Sequence, residues 1–262
     1  MQFLYLIISF TATCIGAISG IGGGVIIKPV MDSLSSFNVS VISFLSGLTV
    51  LGMTISSLII NRNSEIKLEK KTSTLLAFGS VLGGMGGKLV FEIIKNNFGE
   101  EAIIGVIQSS VLSFLMIAVF LFTIFKNKLP SASLKNGFLC FITGLILGSL
   151  ASFLGIGGGP INLAILFLLF SMDSKTAARN SIFIIFFSQM TNFLFTLFSG
   201  NIPQFDPLVL ILMITGGILG GIIGSRISKK ISNRQIDFLF SIVMIFIIVV
   251  CIYNIFGYCR EI

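Results

Sequence analysis

The sequence contains no histidine and no tryptophan, and only ten of its 262 residues are acidic. Without histidine it lacks both the commonest metal ligand and the side chain that ordinarily changes charge near neutral pH. The four cysteines, Cys14, Cys140, Cys251 and Cys259, form no C-x-x-C pair. A zinc or haem site is therefore not expected, and no cofactor is implied. No nucleophile has a base beside it, so an enzyme is the reading with least support and no catalytic residue is assigned. Asp32, Glu65, Glu69, Glu92, Glu100, Glu101, Asp173, Asp206, Asp237 and Glu261 all fall at the ends of apolar runs or between them. The chain is expected to bury no carboxylate, which removes the usual carrier of a proton relay.

What is present is apolar sequence. Hydrophobic residues make up 55% of the chain, 27 of them Phe, charged residues make up 10%, and mean hydropathy is +1.05. A bilayer core takes about 20 apolar residues as helix. The runs lie at 3–18, 25–31, 39–60, 72–94, 102–125, 136–154, 160–172, 178–199, 207–227 and 236–257. The runs at 25–31 and 160–172 are too short to cross alone. The chain reads as an all-α polytopic membrane protein. Its first run has no basic leader or small-residue cleavage site and is expected to stay as a membrane helix. The net charge of +7 comes from bases in short loops, so it reports orientation and not a nucleic-acid footprint.

One pentapeptide occurs twice: Gly20-Ile21-Gly22-Gly23-Gly24 and Gly155-Ile156-Gly157-Gly158-Gly159. Gly costs about 0.8 to 1 kcal/mol against Ala at an interior helix position, so four in five residues break a helix. In hydrocarbon an unwound backbone is tolerated only where protein buries it or where it lines a cavity. Broken helices at matching points of two halves point to a transporter's binding site. The blander reading of such glycines is close helix packing, and recurrence with the same flanks argues against it. Gly83 to Lys88 and Gly220 to Arg226 also match, both glycine-rich and ending in a base, while Asp32 and Asp173 each close a short run. These matches predict a repeat of about 135 residues. Residues 1–126 and 136–262 form the halves, with a linker at 127–135 broken by Pro130.

Loop charge decides how the halves relate. If each broken run makes one full crossing, the bases divide eight to eight between the two sides. If each is a hairpin that returns to its own side, one side holds Arg62, Lys67, Lys70, Lys71, Lys126, Lys128, Lys135, Lys175, Arg179, Arg226, Lys229, Lys230 and Arg234. The other keeps Lys88, Lys95 and Arg260. Only the second division obeys the positive-inside rule. Each half is then a re-entrant hairpin plus three spans, the halves are inverted, and both termini are non-cytoplasmic.

Helix N-termini favour anions through free N–H groups and the macrodipole. The short helices begin after Gly24 and at Pro160, a favoured first residue, so two such ends facing one cavity would select a small anion. Lys28, where a buried charge costs about 2.5 kcal/mol or more, either serves that cavity or snorkels to the headgroups. Asn162 takes the near-equivalent place in the second half. Among the polar residues inside spans, Ser and Thr mostly bond their own helix. The amides of Gln108, Gln189 and Asn192 are better candidates for binding or helix bridging.

The doubled Gly-x-Gly-Gly-Gly, each copy opening a half of four apolar segments, resembles the sulfite exporter TauE/SafE family of bacterial permeases, as do the basic-ended glycine patches. The resemblance implies a place in the bacterial inner membrane and transport of small sulfur-containing anions such as sulfite or sulfonates. It places the binding breaks at Gly20, Gly22, Gly23 and Gly24 and at Gly155, Gly157, Gly158, Gly159 and Pro160. The first copy departs from it in having Val25 where the second has Pro160, and in having Lys28. The expected site is these residues with Lys28, Asn162, Gln189 and Asn192. The partners are a small anion, the lipid bilayer and a coupling ion, either a proton carried on substrate or Lys28 or a sodium held by unwound carbonyls. The rival reading is a non-transporting assembly factor that grips partner helices through glycine faces.

Overall fold

The computed structural model describes residues 2–62, 70–98, 100–126, 134 and 136–260. Among them all the regular structure is helix: α1 (Gln2–Ser19), α2 (Gly24–Leu34), α3 (Val39–Ile60), α4 (Lys70–Phe98), α5 (Glu101–Phe125), α6 (Gly137–Leu154), α7 (Gly159–Phe170), α8 (Ser174–Ser199), α9 (Pro207–Lys230) and α10 (Asn233–Tyr258). Eight of these are long and apolar enough to cross a membrane, while α2 and α7 have 11 and 12 residues. The expected all-α polytopic architecture is what the chain forms. The linker residues 127–133 and 135, among them Lys128, Pro130 and Lys135, the residues Glu65, Lys67, Glu69 and Glu261, and the side chains of Lys70 and Glu101 lie outside the described residues.

Local chemistry sets many of the helix ends. Asn136 caps α6 by accepting from the Phe138 N–H, and Asp206 caps α9 by accepting from Leu208 N–H with Pro207 in the first turn. Ser232 and Gln235 form a capping box on α10, which satisfies two otherwise orphaned donors. The expected run 25–31 extends to Leu34 with Pro29 inside the helix. The Pro29 carbonyl accepts from Asn254 Nδ2 at 2.8 Å.

Glycine faces bring the long helices together and reveal their directions. Along α9, Gly216 meets Leu6 to Phe10, Gly220 meets Phe10 to Cys14, and Gly224 meets Cys14 to Ala17. Along α4, Gly79, Gly83 and Gly87 press on the carbonyls of Phe141, Leu145 and Ser149 in α6. Both sets advance in step, so α1 runs with α9 and α4 with α6. Small residues permit this approach where lipid offers no hydrophobic drive.

On its other side α9 also runs with α3, since Gly217 meets Thr49 and Gly221 meets Met53. Likewise α4 runs with α8, with Ser73 bonded to Asn180 and Gly84 beside Ser188 and Thr191. In contrast α3 opposes α8, because Gly47 lies by Gln189 while Asn61 accepts from Arg179. With α1 and α3 running the same way, α2 must return the chain between them. The same argument makes α7 return it between α6 and α8. Outward from this bundle α4, α5 and α10 expose Phe78, Phe114, Phe238 and Phe256, apolar surface of the kind a hydrocarbon environment accepts.

Candidate functional site

The two glycine breaks meet. A side-chain carbon on Gly159 would overlap the carbonyl of Ile21, and one on Gly24 would lie 2.6 Å from the carbonyl of Ile156. Each contact is the other moved by 135 residues. The same exchange relates Gly20 packed on Ala178 to Gly155 packed on Ser43. The chain turns there through left-handed backbone, with φ of 79° and 73° at Gly20 and Gly22 and 68° and 82° at Gly155 and Gly157. L side chains resist that region, so glycine is required for the turn as well as for the approach.

Beside the second break lies a cavity of about 480 Å³, within the usual range for a small-molecule site. Its inner wall is Ser43, Gly47, Ser152, Gly155, Gln189 and Asn192, and its outer wall is Ser40, Lys88, Glu92, Lys95, Asn96 and Asn201. These residues come from the start of α3, the ends of α4, α6 and α8, and the loop before α9, so the cavity opens at one end of the bundle.

The inner wall is polar and under-bonded. Ser43 Oγ, Ser152 Oγ, Gln189 Nε2 and Asn192 Oδ1 are buried and have no hydrogen-bond partner among the described residues. An unmatched buried polar group costs about 1 to 3 kcal/mol, and four of them belong to residues that line this one cavity. Lys95 Nζ donates to Ser40 Oγ at 2.9 Å. Lys88 Nζ lies 3.4 Å from Glu92 Oε1 and 4.7 Å from the centre of the Phe91 ring.

A match to the model of the family described as "Sulfite exporter TauE/SafE" covers residues 5–251. The chain belongs to that family. It is therefore a multi-pass membrane transporter and not an enzyme. It is also 25% identical over 231 residues to the Bacillus subtilis (strain 168) protein named "Probable membrane transporter protein YunE", covering 80% of this chain and 84% of that protein.

Of the site residues expected from sequence, this TauE/SafE transporter brings Gly155, Gln189 and Asn192 to the cavity wall. Gly20, Gly22, Gly23 and Gly24 do not line it, nor do Gly157, Gly158, Gly159, Pro160 and Asn162, although the two breaks touch beneath it. Asn162 is buried in α7 with its Oδ1 unpartnered. Gln108 donates to the Phe153 carbonyl, so it bridges helices.

Lys28 is in neither expected place. It is 3% exposed, does not line the cavity, and lies 3.6 Å from the Asp32 carboxylate, itself 5% exposed. The expectation that no carboxylate is buried is thereby corrected. Asp32 ends an apolar run in the sequence, but α2 continues to Leu34 and packs that face on α10.

Sequence reasoning assigned none of Lys88, Glu92 and Lys95 to the site, taking Lys88 as the end of a glycine patch, both bases as reporters of orientation and Glu92 as a span-end acid. They follow i, i+4, i+7 spacing, which puts all three on one face of α4. In the hairpin arrangement they also supply two of the three bases on the poorer side. That combination was the available signal.

Proposed function

We propose that the protein carries a small sulfur-containing oxyanion, sulfite or a sulfonate, across the bacterial inner membrane. The observation that carries this reading is the cavity beside Gly155. Two ammonium groups, Lys88 and Lys95, stand on its wall above the unpartnered Ser43, Ser152 and Gln189 donors. Cations with neutral donors beneath them suit a guest bringing charge and several acceptor oxygens. The anion sits against Gly155, Gln189 and Asn192, on one side of the paired breaks instead of midway between both helix N-termini.

Transport proceeds by rocking two inverted repeats, 1–126 and 136–262, about the paired glycine breaks. Helix direction supports the inversion: α1 opposes α6, α3 opposes α8, α4 opposes α9 and α5 opposes α10. The last pair follows from Gly105 meeting Tyr258 while Lys126 meets Asp237. The counterpart of the cavity, at Ala17, Thr54, Ser57 and Ala178, is packed shut around Gly20. That is the place for the opening in the opposite state. By the positive-inside rule the open end faces away from the cytoplasm, on the side of both termini.

The glycine faces of α4 and α9 are occupied within the chain by α6 and α1, which favours transport over a scaffold that grips other proteins. A thermal-shift comparison tests the proposal. Sulfite and simple sulfonates should raise the melting temperature of the purified protein, and Lys95→Ala should reduce the effect. A rise with a cation or neutral solute, and none with these anions, refutes it.

A further inference from the structure

A second polar constellation, none of whose residues lines the cavity, lies where α2 packs on α10. Lys28 and Asp32, one turn apart, are buried with Nζ 3.6 Å from Oδ2. Lys28 Nζ, Asp32 Oδ1 and Asn254 Oδ1 have no hydrogen-bond partner among the described residues. From α10, the Tyr258 side chain hydrogen-bonds Asp32, and Cys251 is within electrostatic reach of both charges. The other helices packed on α2 are α1 and α3. α3 carries no ionisable side chain, and α1 carries only Tyr5 and Cys14. Tyr5 stacks on Phe37, and Cys14 packs on α9 at Gly220 and Gly224.

The fold does not need an ion pair on the short helix here: α7 carries no ionisable side chain, and among the described residues only Lys126, from the end of α5, reaches Phe167. The counterparts of Lys28 and Asp32 in the second half are Leu163 and Phe167. Those of Cys251, Asn254 and Tyr258 are Met116, Val119 and Thr123, and α7 packs on α5 there all the same. An imperfectly bonded buried ion pair is a poor source of stability, because desolvation offsets its Coulomb attraction. Ionisable groups kept inside a membrane bundle at such cost mark ion pathways or proton relays.

We propose that the Lys28–Asp32 pair is a proton-binding site that couples proton uptake to movement of α2 and of the glycine break preceding it. The Asp32 carboxylate accepts one proton and becomes a neutral acid, and the proton leaves when the pair re-forms. Protonation strips Lys28 of its counter-ion in a buried site, and α2 relieves this by shifting the ammonium toward water. Because α2 begins at Gly24, packed on the Ile156 carbonyl, the shift passes to the second break. The coupling deepens the transport reading and rests on it, whereas proton binding can be read with no anion present.

The test has two arms on the full-length protein. Infrared difference spectra between acid and neutral pH, without anion, should show a protonated-carboxyl band that Asp32→Asn lacks. An identical difference spectrum in Asp32→Asn overturns the site. In proteoliposomes with sulfite as probe, an imposed proton gradient should change wild-type flux severalfold. In Lys28→Leu/Asp32→Leu, which leaves α2 without ionisable side chains as α7 is, the ratio of flux with and without the gradient should fall to about one. A double variant that binds sulfite normally and keeps the full gradient dependence overturns the coupling. If that variant does not fold, the Asp32→Asn spectrum and flux decide. If the wild type neither binds nor carries sulfite, the anion reading fails and the infrared arm still decides the proton site.

Discussion

Gly159 is packed so closely on the carbonyl of Ile21 that no side chain can be placed there. Gly159→Ala must push the two breaks apart, and overpacking of this kind costs about 1 to 3 kcal/mol or more. Its melting temperature in detergent should fall clearly. Gly24→Ala, 2.6 Å from the Ile156 carbonyl, should fall less. Gly257→Ala, with nothing within 4 Å, should be unchanged or slightly stabilised.

Gln189→Leu separates binding from folding. The Gln189 Nε2 is buried without a partner, so an apolar replacement of similar size removes an unmet donor. The variant should melt at or above the wild-type temperature while losing the anion-induced thermal shift. A loss of both together would make Gln189 structural.

Lys88 and Lys95 should act as charges on the guest. Lys95→Ala is expected to weaken anion binding at least tenfold, about 1.4 kcal/mol, and Lys88→Ala less, because Glu92 already neutralises it. Isothermal titration with sulfite at two salt concentrations measures both. Arg260→Ala, outside the cavity wall, should leave affinity unchanged.

Cys259 is exposed while Cys140 and Cys251 are buried and Cys14 is half-buried. A membrane-impermeant maleimide should therefore label the wild-type protein on intact cells and fail on Cys259→Ser. Labelling that requires permeabilised cells would reverse the proposed orientation.

Most of the fold was legible because it rests on local physics. Run length marked the helices, and glycine density marked both breaks, which contact each other residue for residue. The i, i+4 spacing of Lys28 and Asp32 and the i, i+4, i+7 spacing of Lys88, Glu92 and Lys95 are also in the sequence, although neither group was read from it. Spacing could not say that the first pair is sealed against α10 or that the second group walls a cavity. Gln189 and Asn192 were found by elimination, since their amides had no local partner. Ser152 was not, because a serine in a helix ordinarily bonds its own backbone and only neighbours reveal that this one does not.

By itself the sequence determined the membrane class, the two interruptions and a division of bases that favours hairpins, since each follows from solvation and backbone preference within a short window. Tertiary structure alone decided that the cavity opens beside Gly155 while Gly20 is shut on Ala178, and that Lys28 faces a carboxylate and not the cavity. The physical reason is that the two halves carry nearly the same local pattern. Which copy is open and which charge is paired depend on contacts between helices far apart in the chain.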